Sequence, residues 1–303
     1  MSPIAVNDIF SIEMETFEPR IPIAAITDEF SPSLDEALRA MKRIGITNAE
    51  LRVIDGKNVV DLNPHEMAHA KNLLDAAGFQ VVCIASPLLK CVLPNSGELD
   101  SRYQHDVFAS SYTFADQEQL AERAFAIAGF FGAPIIRVFS YWRTVTPERC
   151  REAVIQALSA LVGTAEKEDK IIGLENEHAC NIATAAEAVP ILDCIRHPRL
   201  KLVWDPANAF IAGEIPFPAG YSLLPKDRIA HVHAKDCHLG HDGRPVWGPL
   251  GTRHVLWREQ IRALMADGYR GAISLETHWP GPLGNKLEAS TICAWNLRGL
   301  AAG

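Results

Sequence analysis

The chain has 303 residues, 48% of them hydrophobic and 22% charged, with a net charge of -8. That length and composition suit one α/β domain with a full core, while the acidic balance argues against a general affinity for nucleic acid or an anionic membrane surface, which needs clustered Lys and Arg. The seven cysteines are scattered without a C-x-x-C pair, no apolar run of about 18 residues is available to span a bilayer, and no secretion signal is evident, so a reduced, cytoplasmic chain acting on a small molecule is expected.

Residues 1–20 carry Asp8, Glu13, Glu15 and Glu18 without a clear period and read as an N-terminal arm, leaving 21–303 as the folded domain. IPIAAITDEF predicts a first strand that ends on polar Thr27, Asp28 and Glu29. SPSLDEALRAMKRIG predicts a helix with Ser31 or Ser33 as cap, an apolar stripe of Leu34, Ala37, Leu38 and Met41, and Gly45 as its stop. In NAELRVID, Ala49, Leu51 and Val53 alternate with Glu50 and Arg52. An acid and a base on the inward face are costly unless they pair or touch substrate, so an ion pair or network of the Glu50–Arg52 type in the barrel floor and a substrate contact are the two readings.

A helix from Pro64 to Ala77 ends at Gly78, and FQVVCIASP reads as a strand buried on both sides. Residues 88–113 form a connection longer than the usual 2 to 6 residues of α/β units and are expected to act as a lid. Lys90 near its start reads as an exposed lysine, with a substrate oxygen as its alternative partner. Helix 114–131, strand APIIRVFS and a helix from Pro147 to about Lys170, capped by Thr146, come next.

Four late strands then close on chemistry-bearing residues. Period-two alternation sets Glu175 of IIGLENEH opposite Ile172 and Leu174, and Asp205 of KLVWDPAN opposite Leu202 and Trp204. It likewise sets His231, His233 and Lys235 opposite Ala230, Val232 and Ala234, and Glu276 of GAISLETH opposite Ile273 and Leu275. The whole chain counts eight strand and helix alternations, the number for a single-domain (β/α)8 TIM barrel. In such a barrel Glu175, Asp205, His233 and Glu276 converge at the carboxyl-terminal mouth, where three carboxylates and an imidazole suit one divalent cation. His178, three residues past Glu175, reads equally as a substrate contact or a loop histidine; Lys235 reads with Asp236 as an ion pair at the mouth, with a substrate contact as the alternative, and Asn208 is a further candidate substrate contact. His238, His241 and His254 fall in the connection 236–254, a second expected lid; they read as loop residues, with a second metal as the alternative.

The motifs GLENEH, LVWDPANAF, HVHAKD and GYRGAISLETH, with the earlier TDE, AELR and GKNV, resemble the sugar phosphate isomerase/epimerase family of xylose isomerase-like barrels from about residue 22 onward. The resemblance implies one divalent metal, commonly manganese, with magnesium, cobalt or zinc as alternatives, held by Glu175, Asp205, His233 and Glu276. It implies that Glu175 and Glu276 also act as acid and base on a ketose or related sugar, through an enediolate, and that His233 rather than His231 is the metal ligand. Two departures stand out: Asn208 and Leu239 occupy positions where the ketose 3-epimerases of this group have a histidine and a substrate-binding arginine. The sequence therefore also admits a lyase that eliminates water or an alcohol from a keto sugar, keto-glycoside or inosose. Readings of another class are a non-catalytic barrel subunit, which metal analysis would separate, and an endonuclease IV-like nuclease, against which Ser86, Ser140 and Asn208 stand in place of histidines. A homo-oligomer is compatible with the sequence, and no glycine-rich phosphate cradle is evident.

Overall fold

A computed structural model describes residues 19–104 and 111–303. Most of the expected arm lies outside the described residues.

Eight strands form a closed barrel: β1 Ile23–Ile26, β2 Asn48–Leu51, β3 Gln80–Ile84, β4 Ile135–Val138, β5 Ile171–Glu175, β6 Leu200–Trp204, β7 Ile229–Ala234 and β8 Ile273–Leu275. Each pairs in parallel with its neighbours in chain order, and β1 closes the ring against β8 through Ile23–Ile273, Ala24–Ser274 and Ala25–Leu275. Parallel strands buried on both faces must be apolar throughout, except where a polar group has work to do in the interior. The alternation that separates Leu174 from Glu175 is that exception.

Helices cover the outside: α1 Leu34–Arg43, α2 Pro64–Ala77, α3 Gln117–Phe131, α4 Arg151–Lys167, α5 Ala185–Cys194, α6 Pro206–Ile211, α7 Trp257–Ala266 and α8 Lys286–Ala302. In α1, Leu34, Ala37, Leu38 and Met41 are buried as their spacing requires. Ser33 holds the cap position without a side-chain bond; the Leu34 amide donates to Asp55 Oδ1 at 3.0 Å instead. The α2 entrance is a capping box between Asn63 and Glu66, and Gly78 closes that helix at φ +74°, a conformation that favours glycine. The predicted helix from Pro147 becomes one 3₁₀ turn over Pro147–Cys150 followed by α4. After β6 the helical cover is broken into short pieces because the segment is rich in Pro and Gly.

Connections at the carboxyl-terminal end carry two antiparallel hairpins, Val53–Ile54 with Lys57–Asn58 and Asp236–Leu239 with Pro245–Gly248. Inside the barrel, Gly173 sits two residues below Glu175, where an added Cβ would come within 2.7 Å of Val203 Cγ2 and 3.1 Å of Ile135 Cγ2. Val203 and Ile135 therefore fill the space that a side chain at position 173 would need. All seven cysteines are free thiols. Among the described residues no helix is long and apolar enough to cross a membrane.

Candidate metal centre

Each of the four strand-end residues reaches the same point from a different strand. Glu175 is the last residue of β5, Asp205 comes directly after β6, His233 lies near the end of β7 and Glu276 comes directly after β8. Their ligating atoms all lie within 4.8 Å of one another, and all four side chains are buried. Asp205 does two jobs: its Oδ1 accepts the Asn208 amide at 2.9 Å and so caps α6, while its Oδ2 lies 2.9 Å from Lys235 Nζ.

Each ligand candidate is held from behind. His233 directs Nδ1 at Glu175 Oε1, 3.0 Å away, and Nε2 at the two oxygens of Glu50, 3.1 and 3.2 Å away. Arg137 donates from Nη1 to Glu175 Oε2 at 2.9 Å, with its Nη2 on the Ala85 carbonyl and its plane stacked on Phe139. Arg52 donates to Glu276 Oε1 at 3.1 Å, Glu29 Oε1 at 2.7 Å and Asp28 Oδ2 at 2.8 Å. Lys235 Nζ donates to Glu276 Oε2 at 2.6 Å.

The electrostatics come from burial set against these partners. Burial opposes ionisation of Glu175, yet His233 and Arg137 outweigh it and hold the carboxyl below its usual range. Glu276 is likewise buried and is held well below by Lys235. Asp205 behaves oppositely: burial, with Glu175 and Glu276 facing it, pushes it up to about 6 although Lys235 pulls it down. Three carboxylates are thus crowded onto one point, and one of them is pushed toward neutrality by burial and by the other two. That donor set fits a hard or borderline divalent ion, whose charge would relieve the crowding.

Three expectations for the surrounding residues do not hold. Glu50 and Arg52 do not pair with each other; Glu50 meets His231 and His233 across the barrel, and Arg52 meets the acids after β1 and Glu276. Lys235 does not pair with Asp236. It points inward to Asp205 and Glu276, while Asp236 accepts the backbone amides of Arg253 and Val255. Lys90 is not an exposed lysine: it is only 5% accessible, with its ammonium 4.6 Å from the Phe139 ring centroid. His178 is a partly buried residue with Nδ1 2.7 Å from Glu177 Oε1 and 2.9 Å from Asn208 Oδ1. Asn208 itself is fully buried, with Nδ2 3.4 Å from both Glu175 Oε1 and Glu177 Oε2.

Beside the four ligand candidates opens a pocket of about 190 Å³. Arg52, Lys90, Arg137, Phe139, Glu177, His178, Glu276 and His278 contribute to its walls. Glu276 is therefore shared between the metal cluster and the pocket. His278 packs against Trp247, with ring centroids 4.5 Å apart and planes tilted by 48°, which brings the 236–248 hairpin to the edge of the site. Arg137, Glu29, Glu177, His278 and Trp247 were not singled out from sequence as site residues. For Arg137 a signal existed, a lone cation at inward register in an apolar strand. His238 and His254 lie side by side, with ring centroids 5.7 Å apart and planes tilted by 52°, and belong to no metal-competent group among the described residues.

A family model described as xylose isomerase-like TIM barrel matches residues 38–295. Among solved structures, the chain is similar to the IOLI protein with a bound zinc atom, at 15% identity and TM-score 0.70, over 93% of this chain and 98% of that one. It is similar to an apo 3-keto-D-glucoside 4-epimerase from E. coli, at 17% identity and TM-score 0.65, over 92% and 100% of the two chains. A probable 3-DHS dehydratase from Bacillus anthracis, at 18% identity and TM-score 0.63, covers 89% of this chain and 97% of its own. At such identities these likenesses carry the fold alone. A search of curated proteins found no match.

Proposed function

The chain belongs to the xylose isomerase-like TIM barrel family, and from that premise we propose that it is a divalent-metal-dependent isomerase or epimerase that moves a proton next to the carbonyl of a ketose or related sugar. The observation that carries this reading is the convergence of Glu175, Asp205, His233 and Glu276 within 4.8 Å beside a polar pocket. A cation held by those four residues, manganese by our reading with magnesium, cobalt or zinc as alternatives, supplies Lewis acidity that offsets charge growing on the carbonyl oxygen.

The side chains divide the remaining work. Glu276 reaches the pocket, and Lys235 and Arg52 keep it ionised, so it is able to accept a proton from the carbon beside the carbonyl. Glu175 approaches from β5 and is held ionised by His233 and Arg137; it is assigned the opposite face of the reacting carbon. His178 and Lys90 offer donors to substrate oxygens, Asn208 orients Glu175 and His178, and the hairpin carrying Trp247 restricts water at one edge.

A lyase reading begins with the same enediolate and differs in the fate of that intermediate, which expels hydroxide or an alkoxide from the next carbon instead of taking a proton back. What favours it is that Asn208 is turned into the protein and Leu239 is 38% exposed on the hairpin, so neither position supplies the histidine or arginine of the ketose 3-epimerases. Incubating metal-loaded protein with ketoses, keto-glycosides and inososes and resolving the products separates the two. Epimers or aldose–ketose pairs support the first reading, unsaturated products the second, and an unchanged panel with one metal bound per chain contradicts both.

A further inference from the structure

Deep in the barrel, one step below the ligand cluster, Glu50 is fully buried between two histidines. Its Oε2 lies 2.9 Å from His231 Nε2, and its two oxygens lie 3.1 and 3.2 Å from His233 Nε2. A carboxylate only accepts hydrogen bonds, so both Nε2 atoms must donate to it. A histidine that ligates a metal is neutral, so its nitrogen that does not face Glu50 would then carry the ligating lone pair. For His231 that nitrogen, Nδ1, is buried without a hydrogen-bond partner among the described residues, as a bare lone pair in an apolar wall would be. For His233 it is Nδ1 that faces Glu175 Oε1 at 3.0 Å and Glu276 Oε2 at 3.6 Å. Without a metal, burial works against the charged form of His233, but Glu50 and Glu175, one at each ring nitrogen, outweigh it.

We propose that Glu50, on β2, is the positioning residue of the metal centre: it fixes His233 as the Nε2–H tautomer and so commits Nδ1 to the cation, with His231 holding the second Glu50 oxygen in place. The inference rests on the metal reading above. Its consequence is that Glu50, which touches neither the pocket nor the other ligand candidates, sets metal affinity from the opposite wall of the barrel. Partners of this kind behind a metal-ligating histidine raise its basicity and hold its ring, and losing one typically costs 10- to 100-fold in metal affinity. His231 bonds Glu50 from the side and leaves the Glu50–His233 contact untouched.

The test uses the whole chain and two measurements. Manganese dissociation constants come from chelator competition for wild type, Glu50→Gln and His231→Gln. Glu50→Gln is expected to weaken binding roughly 10- to 100-fold, and His231→Gln by less than about 3-fold. In parallel, nitrogen NMR of histidine-labelled, zinc-loaded wild type reads the tautomer without any substitution, which keeps the inference testable if Glu50→Gln fails to fold. Expected is a slowly exchanging Nε2 proton on His233 with Nδ1 on the metal. If wild type takes up no divalent ion, the metal reading and the tether fall together. If wild type binds but Glu50→Gln binds equally well, or if His233 coordinates through Nε2, the tether alone is overturned.

Discussion

Arg137→Met removes the guanidinium that stands behind Glu175. The native side chain is buried, donates to Glu175 Oε2 at 2.9 Å and to the Ala85 carbonyl at 2.9 Å, and stacks on Phe139. Methionine keeps most of the stem and volume, so the cost is chiefly electrostatic. Breaking a buried pair typically costs about 3–5 kcal/mol; His233, with Nδ1 3.0 Å from Glu175 Oε1, remains beside the carboxylate and moves the charge term to the lower end of that range. The protonation equilibrium of Glu175 gives an independent scale for that charge term. Glu175 can escape by taking a proton, and from its usual value of 4.5 to pH 7 that costs about 1.4 kcal/mol per unit, roughly 3.4 kcal/mol. The orphaned Ala85 carbonyl adds about 1 kcal/mol. Urea unfolding at pH 7 with chelator present is therefore expected to show a loss of about 3–5 kcal/mol. The sign with pH is set by the direction of the Glu175 shift. A carboxyl held below its usual range contributes stability that is present above its unfolded value and lost as pH falls through the folded one. The gap between wild type and variant should be widest near neutrality and close in acid. Saturating divalent metal should narrow it at pH 7, since a bound dication restores a counter-charge to Glu175. A neutral-pH loss below about 1 kcal/mol, or a gap that widens in acid, would refute the reasoning.

Glu276→Gln keeps size and an oxygen ligand but loses the base, so turnover should fall about 100-fold or more with substrate affinity little changed; near-normal turnover with metal bound would remove Glu276 from the acid–base role. Lys235→Met takes away the cation 2.6 Å from Glu276 and 2.9 Å from Asp205, and chelator competition should find divalent metal bound more tightly; weaker binding would mean that Lys235 orders the acids rather than opposing the ion. Hydrogen exchange with metal and substrate should slow over 236–248, where Trp247 leans on His278, and over 88–104; unchanged rates at demonstrated saturation would make both segments peripheral. Asp236→Ala leaves the buried amide of Val255 and that of Arg253 without their acceptor, a loss of roughly 2–3 kcal/mol readable by thermal or urea unfolding.

The barrel and the four convergent side chains were legible because both obey local rules. Period-two alternation says which residues point inward, and eight alternations of strand and helix say how the sheet closes. What alternation does not say is which inward residue meets which across the barrel. Glu50 and Arg52 share a strand and a face, so a mutual pair was the natural expectation, yet Glu50 meets β7 and Arg52 meets the mouth. Lys235 was assigned to its sequence neighbour for the same reason, when the stronger field lies at Asp205 and Glu276. A lysine in a long connection is expected in solvent; the aromatic faces of Phe139 and Trp142, in the segment after β4, make the burial of Lys90 tolerable. Arg137 shows the converse, since a cation inside IIRVF had to find an acid in a neighbouring strand and the register puts Glu175 within reach.

The central claim is that this site uses one divalent ion and two glutamates to move a carbon-bound proton. NMR in deuterated water, with metal-loaded protein and a panel of ketoses, keto-glycosides and inososes, reads that step whether it ends in epimerisation or elimination. The account predicts loss of the signal from the carbon next to a carbonyl in at least one compound, abolished by chelator and by Glu276→Gln. Stoichiometric metal with no exchange in any of them, or exchange that survives chelation, would contradict it.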